Sequence, residues 1–456
     1  MNISKQIEHI FRKFIPSPFS LAVILSLLTL LIAFFFTGEQ NAQSAVEILQ
    51  FWQAGMWDSA LLVFMVQMML ILVLGHILVL SKPVSKLISI LIRGINSNGS
   101  AVIVVSVSTM LVAFFNWGLG LIFGAIMARK VAEAARERNF EINYPLIGAA
   151  GYVGLMVWHA GISGSAPLKA AESGHLASLF PAASPEFLNR LPESIPTSES
   201  IFASWNLLIF GILLVLVPLL LYLLARFSGI RAVEPEPEKK TRLSEKVLNG
   251  VEKFEHSKLI SSLFALLLLG AFLASYSEEI LSANLSPNML NFLMLGLCIL
   301  MHGSFFSFLK ALDKAIVGAA AILIQFPLYF GIMGVMRETG LVSDISEFFV
   351  GISSEVSLPI YSFFSAGLVN IFVPSGGGQW AVQGPIILES ALELGVPLNK
   401  AVMALAYGDQ ITNMLQPFWA LPLLAITRLK AREILPYTLI LMLLGICVYV
   451  LGLLLI

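Results

Sequence analysis

The chain has 456 residues, of which 57% are hydrophobic and 12% charged, and its net charge is −1. An ordinary soluble domain has about a quarter of its residues charged, so this composition excludes one and describes a polytopic membrane protein. The near-neutral total offers no global field for nucleic acid, and the two cysteines, Cys298 and Cys447, lie inside apolar runs that exclude a disulfide framework.

The N-terminus, MNISKQIEHIFRKFIPSPF, is charged and amphipathic and lacks a small-residue cleavage site, so no removable signal peptide is expected. The first predicted span is 19–36, followed by a polar stretch, 38–58, with an amphipathic helical middle, and a second span at 59–80. Lys82, Lys86 and Arg93 come next and mark that end as cytoplasmic, which also places the N-terminus in the cytoplasm. The run 101–127 is broken by Asn116, Gly118 and Gly120 and followed by Arg129, Lys130, Arg136 and Arg138. A single crossing would put its two basic flanks on opposite sides, whereas a re-entrant hairpin that returns to the cytoplasm keeps them together.

A span at 144–162 leads into the Pro- and Ser-rich segment 166–202, and 203–226 returns. The hydrophilic segment 227–257 divides the chain and reads as a cytoplasmic linker between a first membrane repeat, 1–226, and a second, 258–456. Spans are predicted at 258–276, 289–309 and 314–336, then a second re-entrant hairpin at about 357–392, an interrupted helix at 398–427 and a last span at 434–456. With this topology all basic residues except Lys169, Arg190, Arg337 and Lys400 fall on the cytoplasmic side.

The second hairpin has an unusual tip. In AGLVNIFVPSGGGQWAVQG (366–384), an apolar run breaks at Asn370 and passes through Pro374, Ser375 and three glycines. Non-helical backbone at membrane depth survives only where protein or a watery cavity satisfies it, so this tip is expected to line a binding site. The halves also echo each other. Asn116 precedes His159 by 43 residues and the small-residue run HAGISGSAP, and Asn370 precedes Asp409 by 39 residues and DQITNMLQP. Each half thus has an Asn-led hairpin tip and then a broken helix (about 144–167 and 398–427), with 258–276 as the extra crossing that inverts the second copy. The expected fold class is an all-α polytopic membrane protein with two inverted repeats, the sequence pattern of a secondary transporter with a site at mid-membrane.

The stretches NIFVPSGGGQWAVQGPI (370–386), ALAYGDQITNMLQPFWALPLLAI (404–426) and HAGISGSAPLKAA (159–171) resemble the signatures of the short-chain fatty acid transporter family. The resemblance implies a bacterial inner-membrane protein that takes up acetoacetate, butyrate and similar monocarboxylates. Through a wider ion-transporter superfamily it implies inverted repeats, two re-entrant hairpins and a homodimer.

A short-chain carboxylate needs hydrogen-bond donors for its charge and a modest apolar wall for its tail. The N–H groups of Gly376, Gly377 and Gly378, with Ser375, Gln379 and Asn370, are the expected donors, and Asn116, Ser163 and Ser165 are counted with them from the first half. Trp117 and Trp380 are candidate walls. A glycine-dependent tip also predicts that Gly377→Ala impairs uptake. Asp409, a carboxylate in an apolar segment, is expected to couple transport to a cation, either with Thr412 and Asn413 as a sodium site or as a proton carrier with His159. The resemblance favours Na⁺ over H⁺. No cofactor and no other metal site is expected.

Two other readings remain open on the residues alone. A different small carboxylate, such as a dicarboxylate, would suit the same donors. Gly161-Ile162-Ser163-Gly164 also matches the GxSG around the nucleophile of rhomboid-type intramembrane proteases, with His302 as a base.

Overall fold

The computed structural model describes residues 17–180, 184–227, 250–281 and 287–455. Most of the expected linker, 228–249, and the N-terminal residues 1–16 lie outside the described residues. The described chain is helical throughout its length, and six helices are long and apolar enough to cross a membrane: Pro18–Phe36, Ser59–Leu80, Asn98–Phe115, Ser204–Phe227, Lys258–Ser275 and Ala431–Leu455. They expose broad apolar faces, as at Leu263, Leu266 and Leu267, which suits lipid rather than water.

The helices start where capping chemistry allows. Ser17, Asn41, Asp58, Ser97 and Ser257 each precede a helix and accept a backbone N–H from its first turn. Two expectations need correction. The span expected at 144–162 is helical only over Tyr144–Ala150, followed by a 3₁₀ turn at Val153–Met156, because glycines at 148, 151 and 154 interrupt the run. The span expected at 289–309 runs instead from Pro287 to His302 and stops at Gly303, whose φ of +69° favours a residue without Cβ. An amphipathic helix, Phe305–Ala315, then begins at the cap Ser304. A helix at Leu341–Gly351 was not anticipated.

Two helical hairpins and two broken segments form the middle of the molecule. In the first hairpin, Asn98–Phe115 and Trp117–Glu137 meet at Asn116, which ends one arm and caps the other through a 2.9 Å hydrogen bond from Leu119 N–H. The arms touch at Gly120, where a Cβ would lie 2.5 Å from Ala113. The second hairpin joins Leu358–Phe372 to Gly376–Leu394 through Val373, Pro374 and Ser375. Both broken segments are enclosed: residues 142–161 and 401–411 are buried without exception.

The contacts give the molecule two ends. Near the open end of the first hairpin, Arg138 donates to the carbonyls of Ile92, Arg93 and Ile95, Asn98 donates to Ala225 O, and Arg129 donates to Ile426 O. Near that of the second, Arg190 donates to Leu392 O and Asn399 to Glu199 O.

Candidate functional site

The two hairpin tips meet at one cavity of about 450 Å³. Trp117 from the first tip and Ser375, Gly376 and Gly377 from the second line it, together with Ser163 and Ser165 from the first broken segment. Phe64, Trp158 and Trp419 complete an aromatic wall with Trp117, whose ring lies 5.1 Å from Trp419 and 5.9 Å from Trp158. Lys169 and Glu172, an exposed ion pair at 2.8 Å, also line it. Helix Ser59–Leu80 shows the depth: Phe64 is five residues from its start, and Leu80 is sixteen residues, about 24 Å, further along. The cavity therefore lies toward the end of the molecule away from the basic residues Arg129, Arg138 and Lys82.

Helix formation at the tip produces the donors. Ser375 caps Gly376–Leu394, its Oγ accepting Gly378 N–H at 3.2 Å, while Gln379 N–H bonds Ser375 O. The N–H groups of Gly376 and Gly377 are then left without a helical acceptor, and both residues line the cavity. Gly376 is there because of its surroundings: a Cβ would lie 2.8 Å from His159 Cε1, 2.9 Å from Trp158 Cη2 and 3.0 Å from Asp409 Oδ2. At Gly377 a Cβ would meet nothing within 4 Å.

His159 and Asp409 form an enclosed pair directly behind Gly376. Ala166 N–H donates to His159 Nε2 at 3.0 Å, so that nitrogen carries a lone pair and the ring proton sits on Nδ1, facing Asp409 Oδ2. Trp158 stacks on the imidazole at 4.5 Å. Among the described residues Asp409 is the one buried carboxylate, and His159 Nδ1 lies against its Oδ2.

The breaks in the two segments satisfy each other. Gln410 Oε1 accepts His159 N–H at 2.8 Å and Ala160 N–H at 3.2 Å, and Tyr152 Oη donates to the carbonyls of Asn413 and Gln416. Each tip is also fastened to the break in its own half. Ile162 N–H donates to Phe114 O, and Trp117 N–H to Ser163 Oγ, in the first; Asn370 Nδ2 bonds Asp409 O, Thr412 Oγ1 and Asn413 Oδ1 at 2.6–2.9 Å in the second.

These contacts separate the sequence candidates into groups. Ser163, Ser165, Ser375, Gly376 and Gly377 come together at the cavity, and Asp409, Thr412, Asn413 and His159 come together behind it. Asn370 joins the second group, because its amide nitrogen is spent on the unwound helix. Asn116 is buried as the cap of its own hairpin. Gly378 N–H is held by Ser375. Gln379 does not face the cavity: its amide bonds Ala366 O at 2.8 Å and Gln383 Oε1 at 2.7 Å, tying the two hairpin arms. Trp380 is also no wall of the cavity; it is buried against Gly384 and donates to His175 Nε2. Ser163 and His302 line different cavities, and His302 is bonded to Ile77 O and Ser307. Sequence reasoning did not assign Phe64, Trp158, Trp419 or Lys169, although Trp158 and Trp419 each flank a helix break.

Among the described residues no three His, Cys, Asp or Glu side chains are grouped as for a transition metal. A hard monovalent cation asks for oxygens instead. Asn370 Oδ1, Asp409 Oδ1 and Gln416 Oε1 are each buried without a hydrogen-bond donor, and oxygens of this kind are what such an ion takes.

Two chains named for short-chain fatty acid transport are similar over nearly their full length. That of Escherichia coli is 34% identical over 460 residues, covering 99% of this chain and 98% of its own, and that of Haemophilus influenzae is 32% identical over 459 residues with the same coverage. Among solved structures, the Alcanivorax borkumensis YdaH transporter gives a TM-score of 0.45 at 15% identity, covering 96% of this chain and 97% of its own. Neisseria gonorrhoeae MtrF, from a class of antimetabolite efflux pumps, gives 0.42 at 14%, covering 96% and 95%. The family described as short chain fatty acid transporter matches residues 1–456 in full, and the chain belongs to that family of multi-pass membrane transporters, not to the enzymes.

Proposed function

We propose that the protein imports short-chain monocarboxylates such as acetoacetate and butyrate across the bacterial inner membrane, driven by a cation gradient. The observation that carries this reading is the single cavity at which both hairpin tips meet, with a buried carboxylate immediately behind it. The substrate carboxylate is received by the open N–H groups of Gly376 and Gly377 and the hydroxyls of Ser163, Ser165 and Ser375. The apolar tail lies against Trp117, Trp158, Trp419 and Phe64. In this reading the hairpins are re-entrant, the halves are inverted repeats, and the basic end with the N-terminus is cytoplasmic. The cavity then opens to the outside.

Coupling falls to Asp409. With the Nδ1–H of His159 facing it, an ionised Asp409 would carry a net negative charge inside the membrane, which is costly without a counter-ion. Sodium would be held by Asp409 with Thr412 and Asn413, whose side-chain oxygens Asn370 Nδ2 gathers beside the Asp409 carbonyl. Gly376 touches this pair on one side and the cavity on the other, so occupation behind the tip and substrate in front of it share one residue.

The test is uptake of labelled butyrate or acetoacetate into proteoliposomes of the purified protein, with inward Na⁺ and proton gradients imposed separately. Butyric acid crosses lipid in its neutral form, so protein-free vesicles supply the baseline. Accumulation driven by Na⁺ alone supports the cation site. Accumulation driven by protons alone makes the Asp409 carboxyl the carrier, and no protein-dependent flux removes the fatty-acid assignment.

A further inference from the structure

A second cavity, of about 570 Å³, lies at the basic end of the molecule and has no part in the transport reading. Four lysines line it: Lys82, Lys258, Lys310 and Lys314. Among the described residues none that lines it is acidic, and Asp313, on the same helix as Lys310 and Lys314, is exposed without lining it. The His302 ring is already committed, its Nε2 donating to Ile77 O and its Nδ1 facing Ser307 Oγ. The charge counted for this cavity is therefore that of Lys82, Lys258 and Lys310, with Lys314 also lining it.

Its position is set by helix ends. Lys82 follows the span Ser59–Leu80, Lys258 opens the span Lys258–Ser275, and His302 closes the apolar helix Pro287–His302. Three apolar helices thus terminate at one level, which is where a bilayer changes from acyl chains to headgroups. Lys310 and Lys314 come from the amphipathic helix Phe305–Ala315, and the apolar side chains next to the lysines are exposed: Leu309 by 46%, Val317 by 75% and Leu259 by 70%. Lysines line the cavity while apolar side chains near them in the chain are exposed.

We infer that this cavity binds phosphate, and that the phosphate is the headgroup of an anionic phospholipid seated at the junction of these helices. Lysine ammonium groups suit a phosphodiester as point charges, and basic pockets between membrane helices recognise such headgroups. The exposed apolar rim gives the acyl chains a surface that a free phosphate would not use.

The experiment compares the full-length protein with Lys82→Gln/Lys310→Gln and with Lys86→Gln, a lysine at the same end that does not line the cavity. Each is purified through detergent from membranes containing phosphatidylglycerol, and the lipid retained per protein is measured by mass spectrometry. The unfolding temperature is then read in phosphatidylcholine nanodiscs with and without phosphatidylglycerol, and in detergent with inorganic phosphate. Retention falls by about tenfold or more in the double variant and is unchanged in Lys86→Gln, given the contribution of each interfacial lysine. Stabilisation by phosphatidylglycerol is lost with it. Equal retention and equal stabilisation in all three proteins overturn the site. Stabilisation by inorganic phosphate alone, sensitive to the double change, overturns the lipid as its occupant. Should the double variant not fold, Lys310→Gln alone reads the same loss in smaller measure.

Discussion

His159 and Asp409, 250 residues apart in the chain, are joined by a single buried contact between Nδ1 and Oδ2. Ala166 N–H fixes the ring from its far side, so the imidazole can only donate toward the carboxylate. Asp409→Asn keeps the shape and removes the charge. Cation-dependent stimulation of uptake should fall by about tenfold or more, because a neutral amide no longer favours a cation behind the tip, while the protein stays folded in the membrane. Unchanged stimulation would remove Asp409 from coupling.

The glycines of the tip should behave unequally, in contrast to the expectation from sequence that Gly377→Ala is the damaging change. At Gly376 a methyl group would press on His159, Trp158 and Asp409 at once, all of them buried. At Gly377 it would enter open space, and the backbone φ is not positive. Gly376→Ala should reduce uptake severely, with an overpacking cost of about 1–3 kcal/mol against the tip position. Gly377→Ala should change the maximal rate by less than about twofold, since it adds only a methyl group at the cavity edge. Initial rates at saturating butyrate, measured side by side with matched protein levels, decide this.

Much of this arrangement was legible because membrane depth makes certain residues costly. Asn370, the glycine run and Asp409 stand out in an apolar chain, and their grouping into a tip and a break follows from where helix cannot continue. The face each residue takes was not legible. SGGGQW reads as one stretch, but once Gly376 opens a helix, Gln379 lies about 200° around from Gly377 and turns into the hairpin. Trp380 sits a full turn above Gly376, beyond the cavity. The aromatic wall was hidden for another reason: Phe64, Trp158 and Trp419 come from three separate segments, and only the packing of the tips brings them together. The interruption at 148–154 was placed too late because an isolated glycine in an apolar run is ambiguous, and here three of them occur at intervals of three.

The aromatic wall sets the length of tail that fits. Trp117 is partly exposed and faces the cavity from the first tip, with Trp419 edge-on behind it. Trp117→Leu should enlarge the cavity and raise uptake of hexanoate relative to butyrate. If both extra methylenes gain contact, the shift is on the order of tenfold, at about 0.8 kcal/mol each. Competition of each acid against labelled butyrate measures it, and an unchanged ratio would exclude Trp117 from the tail site.

At the outer edge of the second hairpin, Trp380 Nε1 donates to His175 Nε2 at 3.0 Å, which requires that nitrogen to be unprotonated. Burial, helped by the charge of Lys169 and opposed by Glu172, holds the His175 pKa below its ordinary 6.5. The folded protein therefore prefers the neutral ring. The stabilisation is present above the unfolded value of 6.5 and is lost as the pH falls through the lower folded value. His175→Phe removes both the acceptor and the titration. Unfolding temperatures of the parent and this variant should differ at about pH 8 and converge as the pH falls below 6.5 and the parent ring takes up its proton. A difference that stays constant across that range would show that the bond does not follow the charge of His175.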